Sequence, residues 1–399
     1  MRTLPLDRRA ALPLLVTALW ILAPGADAWA RSNDPPGKSP GQSPGQSVLQ
    51  TATPAKSKEA PRVDLVIALD VSSSMDGLID SARARLWDVV NLLAKAKPTP
   101  VVRIGLISYG HSGYSQSSGW VRKESELTTD LDAVYSKLFA LTTSGGTEYV
   151  TRAVGEAIHH MQWEQSPNAL KIIFVAGNEP ADQDPTISLD ASAADAREHH
   201  IVVNSIYCGK STNAEFGRWR LLADRSSGMS AAIDQSAVAV VNTPVDSELA
   251  RLSNELNNTY VAYGHKGKDK LANQAAQDHN AGSMGLSAAA SRATAKSSAL
   301  YANDEWDLVD ARAHHKAPAA MPAAALPEPM RAMSPVEQEK FLAGKAEERA
   351  KLQKKIGELS EQRSGYLHAA RKSRATVSFD DALDATVRKE GAAGGLHFE

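Results

Sequence analysis

The sequence predicts an α/β protein: a doubly wound, mostly parallel sheet flanked by helices, followed by a mainly helical C-terminal region. From residue 63 to about residue 224, short β-rich runs alternate with helix-length amphipathic runs, which is typical of parallel strands joined by helices. The runs 101–107 and 170–175 are largely apolar, as expected of strands that are covered on both faces. After about residue 236, strand-like runs are hard to find.

The N-terminal residues have the three-part pattern of a secretory signal. Arginines precede an apolar stretch over residues 10–22, and small residues at 26–30 offer cleavage sites. We therefore expect residues 1–30 to be a signal peptide and the mature protein to be secreted or periplasmic, with an uncleaved signal anchor as the alternative. Residues 31–61, rich in Pro, Gly, Ser and Gln, predict a disordered linker.

The strands and helices of the α/β part follow one another in order. The predicted strands are rich in Val, Ile and Leu, and the intervening runs have helical length and apolar spacing. The strands are expected at 63–69, 101–109, 170–175 and 201–207, and the helices at 78–96, 131–141, 148–161, 192–199 and 214–224. This part is expected to occupy residues 62–236.

The C-terminal region is predicted to be helical with one linker. A helical extension, partly disordered, is expected over residues 237–316, because Thr243-Pro244 is a helix-start signal and the Ala-rich stretch beyond permits helix. Residues 317–333 have the composition of an Ala/Pro linker. A C-terminal helical segment, residues 334–399, then begins with the capping-box sequence Ser-Pro-Val-Glu.

The long helix predicted over residues 334–366 carries an apolar stripe. Leu352, Ile356 and Leu359 keep heptad spacing, as in a coiled coil, but over too few heptads to establish one. The stripe either packs on the body of this chain or serves as a partner-binding or homo-oligomerising helix.

The composition excludes several classes of protein. The chain has a single cysteine, Cys208, which rules out an internal disulfide, and 43% hydrophobic residues provide for a large core instead. A formal net charge of −2 gives no sign of nucleic-acid binding. Three His-His pairs begin at residues 159, 199 and 314; since adjacent residues on a helix point in different directions, we interpret them as solvated helix ends rather than metal sites.

One carboxylate and several hydroxyl groups follow the first predicted strand. Asp70, Ser72 and Ser74 lie on this strand-to-helix turn, and polar loops also occur at 144–147 and 177–180. Ligands of open α/β sheets bind beyond the carboxyl ends of the strands, and oxygen donors suit Mg²⁺ or Mn²⁺. A divalent-metal site is therefore expected there, unless the serines simply cap the next helix. No histidine base lies in these loops, so we expect no catalytic residues and no enzyme.

This order of motifs resembles the von Willebrand factor type A (vWA) domain, a Rossmann-like fold with a metal-ion-dependent adhesion site. The motifs are Asp-x-Ser-x-Ser, then Gly-Gly-Thr about seventy residues later, then a strand that ends in an acidic loop. The resemblance implies that Asp70, Ser72, Ser74 and Thr147 coordinate Mg²⁺, with the last position left for an acidic side chain of a partner.

The chain departs from the family pattern in the third loop. The family usually has Thr-Asp-Gly after this strand, whereas here Gly177 stands where the second aspartate is expected. Either Asn178 or Glu179 substitutes for the missing carboxylate, or the site carries one negative charge fewer. A metal-free site is the remaining alternative.

The resemblance implies an extracytoplasmic, divalent-metal-dependent module in which bound Mg²⁺ bridges to an Asp or Glu of a protein partner. The alternative is a metal-independent scaffold or assembly factor of the cell envelope that acts through its C-terminal helices. Membrane contact is expected only if the signal segment is retained.

Overall fold

The computed structural model describes residues 60–233, 241–315, 322–372 and 379–398, all within one compact unit that starts at Lys58. The predicted signal peptide and nearly all of the predicted linker lie outside the described residues.

A six-stranded sheet forms the centre of the α/β part and confirms the predicted fold class. Its strands are β1 (Arg62–Asp70), β2 (Val101–Tyr109), β3 (Val121–Thr128), β4 (Leu170–Gly177), β5 (Val202–Cys208) and β6 (Ser230–Ile233). They are arranged in the order β3-β2-β1-β4-β5-β6, and only β3 is antiparallel to its neighbour. β1 therefore lies in the interior of the sheet, between β2 and β4.

Helices cover both faces of this sheet. They are α1 (Asp76–Lys95), α2 (Leu131–Phe139), α3 (Val150–His160), α4 (Leu189–Glu198) and α5 (Phe216–Arg225). Alternate residues of β1 point to opposite faces: Leu65 and Ile67 pack in the cluster of α1 and α2, while Val66 and Ala68 pack in the cluster of α3, α4 and α5. Both clusters are buried, which explains the apolar character of the strands.

Two edge strands were not predicted from the sequence. β3 has the polar sequence Val-Arg-Lys-Glu-Ser-Glu-Leu-Thr, and only its first residue and its Leu are buried, as is possible in an edge strand. β6 has four residues, three of them Ser or Ala, which have little β preference. Hydrophobic patterning therefore identified the interior strands and overlooked the edges.

The C-terminal region is helical, as predicted. Its helices are α6 (Asp246–Asn257), α7 (Gly264–Ser283), α8 (Leu286–Ser297), α9 (Leu308–Ala313), α10 (Glu328–Arg331), α11 (Pro335–Lys372) and α12 (Phe379–Ala393). No helix in the described ranges is long and apolar enough to cross a membrane.

The described parts of the predicted extension and of the predicted Ala/Pro linker contain regular structure. The Ala-rich stretch forms α7 and α8, separated near Gly285, whose φ of 108° suits glycine. Within the Ala/Pro segment, residues 323–325 form a 3₁₀ turn and α10 follows. Leu326 and Met330 are buried against Leu308 and Val309, so this segment has apolar anchors that its composition concealed.

The apolar stripe of α11 packs on the body of the same chain. Ile356 is fully buried, and Leu352 and Leu359 lie beside it in a cluster with Leu249 and Leu252 of α6. This arrangement corresponds to the first of the two alternatives, because the residues that would form a coiled-coil seam are covered within the chain.

Buried ion pairs join the C-terminal helices to the α/β part. Arg292 of α8 donates to Asp132 of α2 at 2.6 Å and to Asp278 of α7 at 2.5 Å, and its side chain is 1% exposed. Burial alone would raise the pKa of Asp278, but the charges of Arg292 and Lys296 hold that pKa below its ordinary value. The cluster fixes α7 and α8 against α2.

We expect Arg292→Met to destabilise the whole described unit by about 3–5 kcal/mol, because Asp132 would keep a buried charge without its partner and Asp278 would retain only Lys296. The matched control is Arg251→Met, since Arg251 pairs with Glu248 and Glu255 on the exposed side of α6 and exposed pairs contribute little. Urea unfolding of the two variants and the wild type measures the difference. Equal losses of stability in both variants would contradict the importance of the buried cluster.

Candidate metal centre

The central strand β1 ends in a buried carboxylate at the carboxyl edge of the sheet. Asp70 is the last residue of β1 and is only 1% exposed. Its Oδ1 accepts a hydrogen bond of 2.8 Å from the backbone N–H of Ser72. The interior position of β1 surrounds this carboxylate with the loops that follow β2 and β4.

Two of the three serines of the first loop, Ser72 and Ser74, face each other, and Ser74 contacts the third loop. Their hydroxyl oxygens, Ser72 Oγ and Ser74 Oγ, are 3.3 Å apart, and Asn178 Nδ2 donates to Ser74 Oγ at 3.0 Å. The N-cap residue of α1 is Met75, so neither serine occupies the N-cap position itself.

A second carboxyl group, that of Glu148, lies beside Asp70. The closeness is visible at Gly110, where an added Cβ would lie 2.8 Å from Asp70 Oδ1 and 2.9 Å from Glu148 Cγ. Gly110 also has a φ of 83°, so glycine suits both its backbone conformation and the space between the two acids. Glu148 was not among the predicted site residues, which ended at Thr147 in this loop. The sequence signal that could have identified Glu148 is its position directly after Gly-Gly-Thr.

Burial and mutual repulsion act on the two acids. Burial holds the pKa of Asp70 well above its ordinary value, and the negative charge of Glu148 raises it further. Burial also raises the pKa of Glu148, to which the charge of Glu179 contributes. A divalent cation between the two carboxyl groups would reverse these shifts and favour the ionised forms.

Three oxygen atoms at this edge are buried without a hydrogen-bond partner in the described residues. They are Asp70 Oδ2, Glu148 Oε2 and Asn178 Oδ1. An unsatisfied buried oxygen costs free energy, which a bound ion can recover. All three belong to carboxyl or amide groups, the donors that hard divalent cations prefer. The residues present therefore fit Mg²⁺ or Mn²⁺.

The Gly-Gly-Thr loop is held against the first loop. The backbone N–H of Ser144 donates to the carbonyl of Val71 at 3.0 Å, and the hydroxyl oxygens of Ser144 and Ser112 are 2.7 Å apart. Thr147 is half-buried in this loop, next to Glu148. The structure thus brings all three predicted loops together at one edge.

The Glu179 side chain is exposed. Its Oε2 is 3.5 Å from Gln183 Nε2, and its backbone carbonyl accepts a 2.8 Å hydrogen bond from Trp219 Nε1. Trp219 is fully buried and fixes the backbone of this loop. The carboxyl group beside Asp70 is that of Glu148, whose raised pKa includes a contribution from the charge of Glu179.

The absence of an aspartate at position 177 has a packing explanation. An added Cβ at Gly177 would lie 2.5 Å from the Tyr109 hydroxyl and 3.0 Å from Asp70 Oδ2. The tyrosine is fully buried, and its hydroxyl donates to the carbonyl of Ala176 at 2.9 Å. Tyr109 therefore fills the space that a side chain at position 177 would need.

Comparison with protein-family models identifies one domain in this chain. The family model for the von Willebrand factor type A domain matches residues 64–229. A search of curated proteins finds no match.

Similar solved structures include proximal thread matrix protein 1 from the mussel byssus, with a zinc-occupied MIDAS motif (12% identity, 45% of this chain and 43% of that chain, TM-score 0.36). They also include a von Willebrand factor type A protein from Catenulispora acidiphila (17% identity, 45% of this chain and 40% of that chain, TM-score 0.36). A third is the pilus adhesin SpaC from Lactobacillus rhamnosus GG (14% identity, 44% of this chain and 28% of that chain, TM-score 0.35). This chain spans less than half the length of each of these.

We expect Gly177→Ala to destabilise the protein, because the new Cβ meets the Tyr109 hydroxyl in a close-packed interior; such overpacking costs about 1–3 kcal/mol. Tyr109→Phe removes that oxygen. The double variant Tyr109→Phe/Gly177→Ala should therefore lose less stability than the sum of the losses in the two single variants. Urea denaturation of the four proteins in a double-mutant cycle measures the coupling. Strict additivity would contradict the packing explanation.

We expect Asp70→Asn to stabilise the metal-free protein at neutral pH. Because the native pKa of Asp70 is raised above its ordinary value of 3.8, the native state binds more protons than the unfolded state above that pH, and stability falls as pH rises through the native pKa. Asn at position 70 does not ionise, so the variant does not lose stability in this way. In a chelating buffer, its melting temperature should exceed that of the wild type most at neutral pH, and the difference should disappear toward pH 3.8. The control Asp80→Asn, on an exposed carboxylate of α1, should show no such trend. An advantage that does not change with pH would contradict this account.

Proposed function

Given that residues 64–229 form a von Willebrand factor type A domain, we propose that the protein is an extracytoplasmic protein-binding module in which a bound divalent cation joins the domain to an acidic residue of a partner. One observation carries the proposal: three buried oxygens at this edge of the sheet, from two loops and the end of β1, have no hydrogen-bond partner in the described residues. Such a set of donors is suited to a cation, and no histidine base lies in these loops.

The proposed ligands come from all three loops. Asp70 and Glu148 supply the negative charge, Ser72, Ser74 and Thr147 supply hydroxyl oxygens, and the nearby Asn178 carbonyl oxygen supports them. Since every donor is oxygen, Mg²⁺ or Mn²⁺ is the expected ion. When bound, the ion supplies the positive charge that ionises both acids and attracts a carboxylate from outside.

The partner is expected to present an exposed Asp or Glu. Hydroxyl ligands carry no charge, and the two buried carboxylates of this site together balance a divalent ion. A third carboxylate from the partner would then bind by completing the coordination shell, and removal of the metal would abolish that contact.

The extracytoplasmic location rests on the secretory pattern of residues 1–30. A single cysteine agrees with a protein that does not depend on disulfides for its stability in an oxidising compartment.

The first experiment is calorimetric titration of Mg²⁺ and Mn²⁺ into the chelator-treated full chain. We expect one site in the wild type, no binding by Asp70→Ala, and an affinity reduced by about tenfold or more in Glu148→Gln, because a charged ligand is lost. The matched control is Glu179→Gln, which should bind nearly as well as the wild type. Loss of binding in Glu179→Gln with normal binding in Glu148→Gln would reverse the assignment of the second carboxylate.

The second experiment separates the adhesion function from the metal-independent scaffold. Cell-envelope protein is incubated with the purified chain in Mg²⁺ or in EDTA, and co-sedimentation is measured. The adhesion proposal expects retention only with Mg²⁺ and loss in Asp70→Ala. Retention unaffected by EDTA or by Asp70→Ala, but lost when the exposed Lys351 and Lys354 of α11 are changed to Glu, would favour the scaffold.

Substitution is preferable to deletion for testing the helical region. Ile356 of α11 is fully buried, and Arg363 of α11 donates to buried Asp246 at 2.9 Å. Removing α11 would therefore expose the core and leave a buried charge without its partner, and loss of function would report unfolding.

A further inference from the structure

Two helices on the face of the sheet that holds α3, α4 and α5 bring two histidines and an aspartate together. His159 lies in the last turn of α3, Asp195 lies on α4, and His199 is the C-cap of α4. One candidate ligand atom from each residue lies within 4.8 Å of the other two. This group is formed by different elements from those that carry Asp70.

The contacts within the group are close. His159 Nε2 is 2.7 Å from Asp195 Oδ2, and His199 Nδ1 is 3.2 Å from Asp195 Oδ1. The two imidazole rings are perpendicular, with centroids 5.2 Å apart. Asp195 thus stands between two imidazoles and holds a carboxylate oxygen toward each of them.

The helix geometry explains how the group forms. Asp195 and His199 are four residues apart and therefore share one face of the helical turn. Small buried residues, Ala157 of α3 and Ala196 of α4, belong to the same core cluster and allow the helices to pack closely. The end of α3 is thereby placed beside the end of α4.

These histidines are exposed at helix ends, as predicted, but the prediction did not include a contact between helices. Adjacent members of a pair do diverge: His160 lies 2.6 Å from Glu156 on its own helix and does not join the group. One member of each of two pairs, however, meets across the helix interface. Reasoning along a single helix could not find a contact between two helices.

We propose that His159, Asp195 and His199 form a second metal site, specific for Zn²⁺ or a similar transition-metal ion. Two imidazole nitrogens and one carboxylate oxygen are a donor set that zinc takes with a fourth position left open. Imidazole suits Zn²⁺, Ni²⁺ and Cu²⁺, whereas the oxygen donors near Asp70 suit Mg²⁺ and Mn²⁺. The two sites are therefore distinguished by their chemistry.

The side chains have the freedom that metal binding requires. Ligand atoms around tetrahedral zinc are about 3.3 Å apart, so the three groups need only small shifts from the observed separations. The side chains of His159 and His199 are 47% and 43% exposed, which leaves the open position accessible to water, although metal binding would have to replace the 2.9 Å contact of His199 Nδ1 with the Asp195 backbone carbonyl.

A bound ion would have a mechanical effect on the fold. It would join the C-terminal end of α3 to the C-terminal end of α4. α3 begins at Val150, two residues after Glu148, so zinc would restrain the helix that follows the Gly-Gly-Thr loop. Since the ion binds only the folded arrangement, zinc should raise the melting temperature.

The test uses the full chain after treatment with a chelator, in the Asp70→Asn background so that zinc cannot bind near Asp70. We expect calorimetry to show one zinc ion bound and the melting temperature to rise with zinc. His159→Gln and His199→Gln should each lower zinc affinity by about tenfold to a hundredfold or more, because each removes a ligand. His160→Gln, the matched control on the neighbouring residue, should bind zinc as its parent does.

Two results would overturn the proposal. One is the absence of zinc binding in the Asp70→Asn background. The other is an equal loss of affinity in His159→Gln and His160→Gln, which would indicate diffuse binding to surface histidines. Magnesium binding by His159→Gln in the Asp70-containing chain is measured in parallel, and its retention shows that the two sites are separate and that the variant is folded.

Discussion

Burial of the Asp70 carboxylate at the end of the central strand is the constraint around which the carboxyl edge of the sheet is arranged. The carboxylate is 1% exposed and receives one backbone hydrogen bond through Oδ1, while Oδ2 has no partner in the described residues. Gly110 leaves room for a second acid, and Tyr109 closes the side where the related pattern has an aspartate. The position of the second carboxyl group therefore follows from how the neighbouring strands pack.

A second set of constraints comes from arginines buried between helices. Arg349 of α11 donates to Asp307 at 2.6 Å and to the carbonyl of Thr259 at 2.8 Å, and Arg363 donates to Asp246. A buried charge pair adds little net stability compared with apolar packing, but a misplaced partner is costly. These pairs therefore favour one arrangement of the C-terminal helices against one another over others of similar apolar contact.

The sequence predicted what depends on local pattern and missed what depends on proximity in space. The interior strands, the helices and the grouping of Asp70, Ser72 and Ser74 follow from hydrophobic period and from strand ends. Glu148 was missed because only the contact of the Gly-Gly-Thr loop with β2 brings it to Asp70. The polar edge strand β3 and the pairing of His159 with Asp195 were missed for a similar reason, because neither produces a periodic pattern in the sequence.

The contact between Lys97 and His397 has a consequence for the order of folding. Their backbones exchange two hydrogen bonds of 2.8 and 2.9 Å, and Leu396 is buried in the same cluster as Leu93. Contacts between such distant positions raise the contact order and slow folding, because a long loop must close before they form. While the chain is being made, only the part of α1 around Leu93 lacks its cover until the segment around Leu396 has emerged, whereas the sheet and α2 can already cover the rest.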